Sequence, residues 1–176
     1  MTATLVLGGA RSGKSYFAQQ LAVSSTLPVL YIATATALDD EMVERIAHHK
    51  KNRPGDWRLV ECPLDLVDVL KDENNRHQII LIDCLTLWLN NQLFSFPEQD
   101  FEFLSDELMA CIASSSADLV FVANEVGLGI IPLGSISRKF VDEAGRLNQK
   151  IAQAVDTVFF IAAGLPFILK SEKDGR

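Results

Sequence analysis

The sequence predicts an α/β fold, a mainly parallel β-sheet covered by helices on both faces. Three observations predict it. Short, β-rich apolar runs alternate with segments of helical periodicity along nearly the whole chain. The polar residues with recognisable chemistry directly follow apolar runs, where open α/β sheets place their ligand sites. The chain has 176 residues, 48% hydrophobic and 22% charged, which suffices for one substantial core without staples. Neither an internal repeat nor a linker interrupts it, so residues 1–176 are read as one domain.

The elements follow in order. Thr4–Leu7 is a short apolar run ending in Gly8-Gly9, and it reads as a buried strand. Ser15–Val23 carries Phe17, Ala18, Leu21 and Ala22 at helical spacing. Val29–Ala33 is a second strand. In Asp39–Lys51, Met42, Val43 and Ile46 recur every three to four residues among charges, so a helix is expected until Arg53-Pro54-Gly55-Asp56 breaks it. Arg58–Glu61 is a further strand and Leu64–Leu70 a short amphipathic helix. Gln78–Ile82 is a strongly β-biased run ending at Asp83, and Leu85–Phe94 a helix. Phe96–Asp100 is expected as a loop, Phe101–Ser114 as a helix and Leu119–Ala123 as a strand. Val126–Ser135, rich in Gly and holding Pro132, reads as a loop. Ser137–Ala154 is a long helix, Val158–Ala162 a strand, and Phe167–Leu169 a candidate last strand. The polar tail Ser171–Arg176 is expected to fray.

Composition excludes several classes. A net charge of −7 offers no broad attraction to nucleic acid or an anionic membrane. No run of about 18 apolar residues is present, so no membrane span is expected. The N-terminal Met-Thr-Ala-Thr-Leu-Val-Leu lacks the basic region and long apolar core of a signal peptide. Cys62, Cys84 and Cys111 are odd in number, scattered and free of any C-x-x-C pair. A disulfide framework and a zinc site are therefore not expected, and the reading is a reduced, cytoplasmic protein.

Gly8-Gly9-Ala10-Arg11-Ser12-Gly13-Lys14-Ser15 matches the full Walker A pattern between a predicted strand and helix. Each part has a physical task. Glycines allow backbone angles and a close approach that a Cβ would block. Backbone N–H groups and the helix N-terminus then face phosphate oxygens. Lys14 supplies a cation for the outer phosphates and Ser15 a hydroxyl for Mg²⁺. The bland alternative is an ordinary Gly-rich turn. The strand ending at Asp83 has the form of a Walker B segment, whose aspartate holds Mg²⁺ beside the loop serine. An acid capping a strand is also common.

Two of the three histidines lie together in Arg45-Ile46-Ala47-His48-His49-Lys50-Lys51-Asn52-Arg53-Pro54. Neighbours on a helix point about 100° apart, so His48 and His49 cannot share one role. His49 shares a face with Arg45. The cations Lys50, Lys51 and Arg53 suit a helix end, a triphosphate or a phosphorylated intermediate. An imidazole there can attack phosphorus. Taken alone, the segment also fits a solvated basic helix end. The adjacent pair lacks the spacing of metal ligands.

These segments together resemble a family. The phosphate loop, Tyr31-Ile32-Ala33-Thr34-Ala35, Asp39-Asp40-Glu41-Met42, Arg45-Ile46 through Pro54, and Trp57 carry the first half. Asn124-Glu125-Val126-Gly127-x-Gly129-Ile130-Ile131-Pro132 and Arg138-x-Phe140-x-Asp142-x-x-Gly145-Arg146-x-Asn148-Gln149 carry the second. The chain resembles the bifunctional adenosylcobinamide kinase/adenosylcobinamide-phosphate guanylyltransferases of cobalamin biosynthesis, in family order from residue 5 to about residue 165.

The resemblance implies a RecA-like P-loop fold, a homotrimer, Mg²⁺, and GTP and ATP as substrates with adenosylcobinamide and its phosphate. It implies two reactions. A triphosphate phosphorylates the aminopropanol hydroxyl of adenosylcobinamide, and GTP then donates GMP to that phosphate through a GMP–histidine. The histidine closing the Arg-Ile-x-x-His pattern is His49, with His48 its rival. Nucleotide contacts are implied for Gly8, Gly9, Ala10, Arg11, Ser12, Gly13, Lys14, Ser15, Thr34, Ala35, Thr36, Lys50, Lys51, Asn52, Arg53, Glu61 and Asp83, and metal contacts for Ser15 and Asp83. The family varies between Asp and Glu at the strand end held here by Asp83. Glu125 is a candidate for the substrate hydroxyl or Mg²⁺, and Arg138 and Asn148 for packing or a subunit interface. Two rivals stand beside this reading. A P-loop kinase without nucleotidyl transfer leaves the histidine segment idle. A nucleotide-switched regulatory module needs no covalent intermediate.

Overall fold

A computed structural model describes residues 1–37, 40, 43, 44, 47 and 54–171. Its centre is a seven-stranded sheet built from β1 (Ala3–Gly8), β2 (Val29–Ala33), β3 (Arg58–Glu61), β4 (Ile79–Asp83), β5 (Asp118–Asn124), β6 (Thr157–Ala162) and β7 (Leu165–Lys170). The spatial order is β3-β2-β4-β5-β1-β6-β7. The first six strands run parallel, and β7 returns antiparallel to β6. The helices are α1 (Lys14–Val23), α2 (Leu66–Lys71), α3 (Leu85–Ser95), α4 (Phe101–Ser114) and α5 (Ser135–Ala154). Of the expected Asp39–Lys51 helix, Asp40, Val43, Glu44 and Ala47 are helical, and its other members lie outside the described residues.

Alternation along the central strands explains the layering, because successive side chains of a strand point to opposite faces. On one face Leu5, Leu7, Ile80, Ile82, Leu119 and Phe121 pack with α3, α4 and α5 through Trp88, Leu108, Leu147 and Ile151. On the other, Val6, Tyr31, Leu81, Val120 and Val122 meet α1. Ala18 and Ala22 are fully buried there. Both sides of each central strand are therefore apolar, as a sheet covered on both faces requires.

Several boundaries differ from expectation for physical reasons. Asp83 is itself the last residue of β4, since its backbone still pairs with Ala33. The helix after the Val126–Ser135 segment starts at Ser135, two residues earlier than the pattern suggests. The last strand is longer than Phe167–Leu169, and its reversal follows from the two-residue turn Ala163-Gly164. Parallel strands need a crossover of a dozen or more residues, so a two-residue link admits only a hairpin. Both turn residues have positive φ, 51° and 80°, as a type I′ hairpin turn demands. The Lys170 ammonium on β7 donates to the carbonyls of Ala152, Gln153 and Val155, closing the C-terminus of α5.

Candidate active site

The carboxyl ends of the six parallel strands form one rim. Gly8, Ala33, Glu61, Asp83, Asn124 and Ala162 end their strands there. The phosphate loop leaves β1 near the middle of the sheet. Its shape depends on two close approaches. A Cβ at Gly8 would lie 2.6 Å from the Ile161 carbonyl oxygen, so only glycine fits against β6. Gly13 adopts φ 97° as it opens α1, a left-handed conformation that disfavours a side chain. Arg11 also has positive φ, 56°. Turns from right- to left-handed backbone gather successive N–H groups towards an anion.

The loop is propped from the far side. The Gly164 N–H of the β6–β7 turn donates to the Ser12 carbonyl at 2.8 Å. A Cβ at Gly13 would sit 3.3 Å from the Gly164 Cα. The hairpin turn thus packs directly beneath the loop. Lys14 is only 8% exposed, and its ammonium donates to the Gly9 carbonyl at 2.9 Å. The side chain curls back over the loop that carries it.

Strand β5 lies between β1 and β4, yet the two motif segments touch. The Ser15 hydroxyl donates to Asp83 Oδ1 at 3.3 Å, and the Tyr31 hydroxyl donates to Asp83 Oδ2 at 3.0 Å. A hydroxyl and a carboxylate side by side are hard oxygen donors of the kind that suit Mg²⁺. Asp83 is followed by Cys84 through a cis peptide bond. Burial pushes the Cys84 thiol up to about 11, with the Asp83 charge acting in the same direction. The thiol is therefore protonated at neutral pH and is no nucleophile there.

The remaining expected positions spread along the rim. Thr34 follows β2 and is fully buried, with its hydroxyl bonded to the Cys84 backbone. Ala35 is half-buried and Thr36 exposed. Glu61 and Asp83 flank β2 from its two sides, each paired in register with Ala33. Gly9 is half-buried, and Ala10 and Arg11 are exposed at the loop's tip. His49, Lys50, Lys51, Asn52 and Arg53, with His48, lie outside the described residues. Glu125 continues from β5: its N–H donates to the Gly8 carbonyl at 3.0 Å, and its carboxylate accepts from the Gly127 N–H. Arg138 donates to the Pro132 and Leu133 carbonyls, and Asn148 to the Asn124 carbonyl at 3.4 Å.

Sequence reasoning missed four contributors to this rim: Tyr31, Gly164, Thr86 and Asn91. The Thr86 hydroxyl accepts from the Asn124 N–H, and the Asn91 amide donates to the Thr34 carbonyl. A glycine between two β-rich runs signals the turn at Gly164. Tyr31 stands in a segment that carries the family resemblance but has no role assigned to it there, and no local pattern signals Thr86 or Asn91, because both act from a helix.

Comparison with known proteins extends the geometry. The family model described as cobinamide kinase / cobinamide phosphate guanyltransferase matches residues 4–169. A protein named bifunctional adenosylcobalamin biosynthesis protein CobP, from Pseudomonas aeruginosa, is 48% identical, covering 96% of this chain and 97% of its own. Bifunctional adenosylcobalamin biosynthesis protein CobU of Salmonella typhimurium is 41% identical, covering 94% and 98%. The Escherichia coli protein of that name is 38% identical over the same shares. Among solved structures, a Pyrococcus horikoshii protein superposes with a TM-score of 0.58 at 12% identity, covering 98% of this chain and 88% of its own. The RadB recombinase superposes at 0.53 and 11%, covering 90% and 73%. These two likenesses concern the fold, which is that of a RecA-like P-loop protein. With the family model spanning nearly the whole sequence, the chain belongs to the cobinamide kinase / cobinamide phosphate guanyltransferase family.

Proposed function

We propose that this protein phosphorylates adenosylcobinamide with ATP or GTP and then transfers GMP from GTP to the new phosphate, giving adenosylcobinamide-GDP and pyrophosphate. The observation that carries the reading is the contact between Ser15 of the phosphate loop and Asp83, in a chain that aligns over 97% to 98% of the length of relatives named bifunctional.

In the kinase step the substrate hydroxyl oxygen attacks the γ-phosphorus. The bond from that phosphorus to the bridging oxygen breaks, the diphosphate leaves, and the hydroxyl proton passes to solvent. In the guanylyl step a neutral His49 nitrogen attacks the α-phosphorus of GTP, forming a P–N bond as the α–β anhydride bond breaks. Pyrophosphate leaves, and the imidazolium sheds a proton. An oxygen of adenosylcobinamide phosphate then attacks the same phosphorus, and the P–N bond breaks as the ring takes a proton back from solvent, which restores neutral His49. Lys14, Lys50 and Arg53 neutralise charge on the phosphate oxygens and the departing group. Cations near His49 favour its neutral, attacking form. The Ser15 hydroxyl and Asp83 carboxylate fit Mg²⁺, which is commonly held by one or two protein oxygens plus substrate phosphates. When bound, Mg²⁺ would offset phosphate charge in each displacement.

Gly8–Ser15, Ala35, Thr36, Lys50–Arg53, Glu61 and Asp83 belong to the proposed nucleotide site, whereas Thr34, fully buried with its hydroxyl bonded to the Cys84 backbone, stands behind it. A cytoplasmic homotrimer is part of the same proposal. Among the described residues no helix is long and apolar enough to cross a membrane.

The test uses GTP labelled at the α-phosphorus, with Mg²⁺, resolved under denaturing alkaline conditions. The expected product is acid-labile, alkali-stable protein label, lost in His49→Ala and kept in His48→Ala. Absence of label in folded, GTP-binding protein removes the guanylyl half and leaves a kinase. Label lost only in His48→Ala moves the nucleophile by one position. ATP-dependent phosphorylation of adenosylcobinamide tests the kinase half separately.

A further inference from the structure

We propose that the carboxyl end of β2 is a positioning clasp for Asp83, made by Tyr31 and Thr34. The inference rests on the reading of Asp83 as the carboxylate that serves Mg²⁺. A carboxylate at a strand end has two rotatable bonds and swings unless both its backbone and its oxygens are held. Here β2 holds each of them.

Tyr31 acts on the carboxylate. Its hydroxyl reaches Oδ2 at 3.0 Å while Ser15 reaches Oδ1 at 3.3 Å, so donors on both oxygens fix the plane of the group. The phenol is itself held: Tyr31 is 4% exposed, and its ring lies 6.3 Å from that of Trp57.

Thr34 acts on the backbone. Its hydroxyl donates to the Cys84 carbonyl at 2.7 Å and accepts from the Cys84 N–H at 2.8 Å. Its own N–H donates to the Asp83 carbonyl at 3.3 Å. Its carbonyl accepts from the Asn91 amide at 2.8 Å, which ties the clasp to α3. The side chain is fully buried. A hydroxyl whose donor and one acceptor position are both spent on Cys84, with no exposed surface, is not placed to touch a nucleotide. Thr34 is therefore a positioning residue, in contrast with the nucleotide contact that the family resemblance implies. Register makes the arrangement possible, because Ala33 pairs with Asp83 and sets Thr34 one step beyond it.

The experiment measures GTP affinity by calorimetry, with Mg²⁺ and with EDTA, in the full chain. Thermal midpoints confirm folding. Asp83→Asn is expected to abolish the gain that Mg²⁺ gives. Tyr31→Phe is expected to reduce that gain about tenfold, the size of a hydrogen bond to a charged group, and Thr34→Val, whose hydroxyl bonds neutral backbone, about fivefold. Their affinities in EDTA should stay at the wild-type value, and Thr34→Ser, which keeps the hydroxyl, should retain the gain. If Thr34→Val is too unstable, Tyr31→Phe alone decides. Equal losses with and without Mg²⁺ overturn the clasp, since they signal direct nucleotide contact or a distorted loop. A full Mg²⁺ gain in Tyr31→Phe and Thr34→Val, with Asp83→Asn impaired, also overturns the clasp and leaves the role of Asp83 standing. A full gain in Asp83→Asn overturns the reading of Asp83 and the clasp with it.

Discussion

The phosphate loop and the segment 126–134 leave the same rim from adjacent strands, yet they are built on opposite principles. Around the loop, directed contacts dominate. Gly8 backs onto Ile161, Gly164 bonds to Ser12, and Ser15, Asp83 and Tyr31 form a chain of hydrogen bonds. Segment 126–134 follows β5, whose Asn124 pairs with Gly8. Val126 packs on the core, but the apolar side chains Leu128, Ile130, Ile131 and Leu133 face outwards, with Ile130 and Leu133 each 98% exposed. What fixes it is backbone anchoring at the ends, through Glu125 to the Gly127 N–H and Arg138 to the Pro132 and Leu133 carbonyls. The difference teaches how one rim can serve two needs. Phosphate chemistry depends on atoms held to within a fraction of an ångström. Presenting apolar surface asks only that the backbone be tethered while the side chains stay outside the core.

Three variants break or sharpen this contrast. Gly8→Ala has the largest expected effect. Its new methyl meets the Ile161 carbonyl at 2.6 Å, and neither strand can give way without disturbing the sheet. The cost is about 3 kcal/mol, at the upper end for an overpacked site, read as a lower midpoint in urea with loss of GTP binding. Ala163→Gly acts in the other direction. Ala163 holds φ 51°, a left-handed conformation that costs an L-residue about 1 kcal/mol and glycine little. A rise of about 2–4 °C in the thermal midpoint is expected, with GTP affinity unchanged because the Gly164 N–H remains. A fall would show that the alanine methyl makes packing contacts worth more than the backbone strain. The smallest effect belongs to Ile130→Ser with Leu133→Ser. Side chains this exposed contribute no core packing within the chain, so unfolding of the monomer should shift by less than about 0.5 kcal/mol. A large loss in urea would mean the segment packs more deeply than its exposure indicates.

Much of the fold was legible because its signals are local. The alternation of apolar runs and helical periods marks β1, β2, β4, β5 and β6 within a residue or so, and α4 at its observed bounds. The Asp100 side chain that accepts from the Glu102 and Phe103 N–H groups explains the clean start of α4. The direction of β7 was not legible from periodicity, since a strand reads alike in either sense. It followed from the length and φ angles of the turn before it. The phosphate loop was legible because strand, glycines, lysine and serine are contiguous. Asp83 was legible from its place at the end of a β-rich run. Tyr31 was not, because its place on a buried strand is what apolar patterning alone would give it, and its bond to Asp83 spans the sheet.

By itself the sequence determined the fold class, the phosphate loop and the family, because each rests on residue types at short, fixed spacings. His49 and its basic neighbours are the segment proposed for nucleotidyl transfer through the family resemblance, since the residues taken alone also fit a solvated basic helix end. Only the tertiary structure decided which groups hold those parts in place. Strand order put β5 between the two motif strands, and register set Thr34 against Cys84 and Tyr31 within reach of Asp83. The turn at Gly164, far along the chain from Ser12, came to rest beneath the phosphate loop. Spacing along a chain specifies local backbone shape, whereas the partner of a side chain across a sheet depends on pairing and packing that form only when the chain is folded.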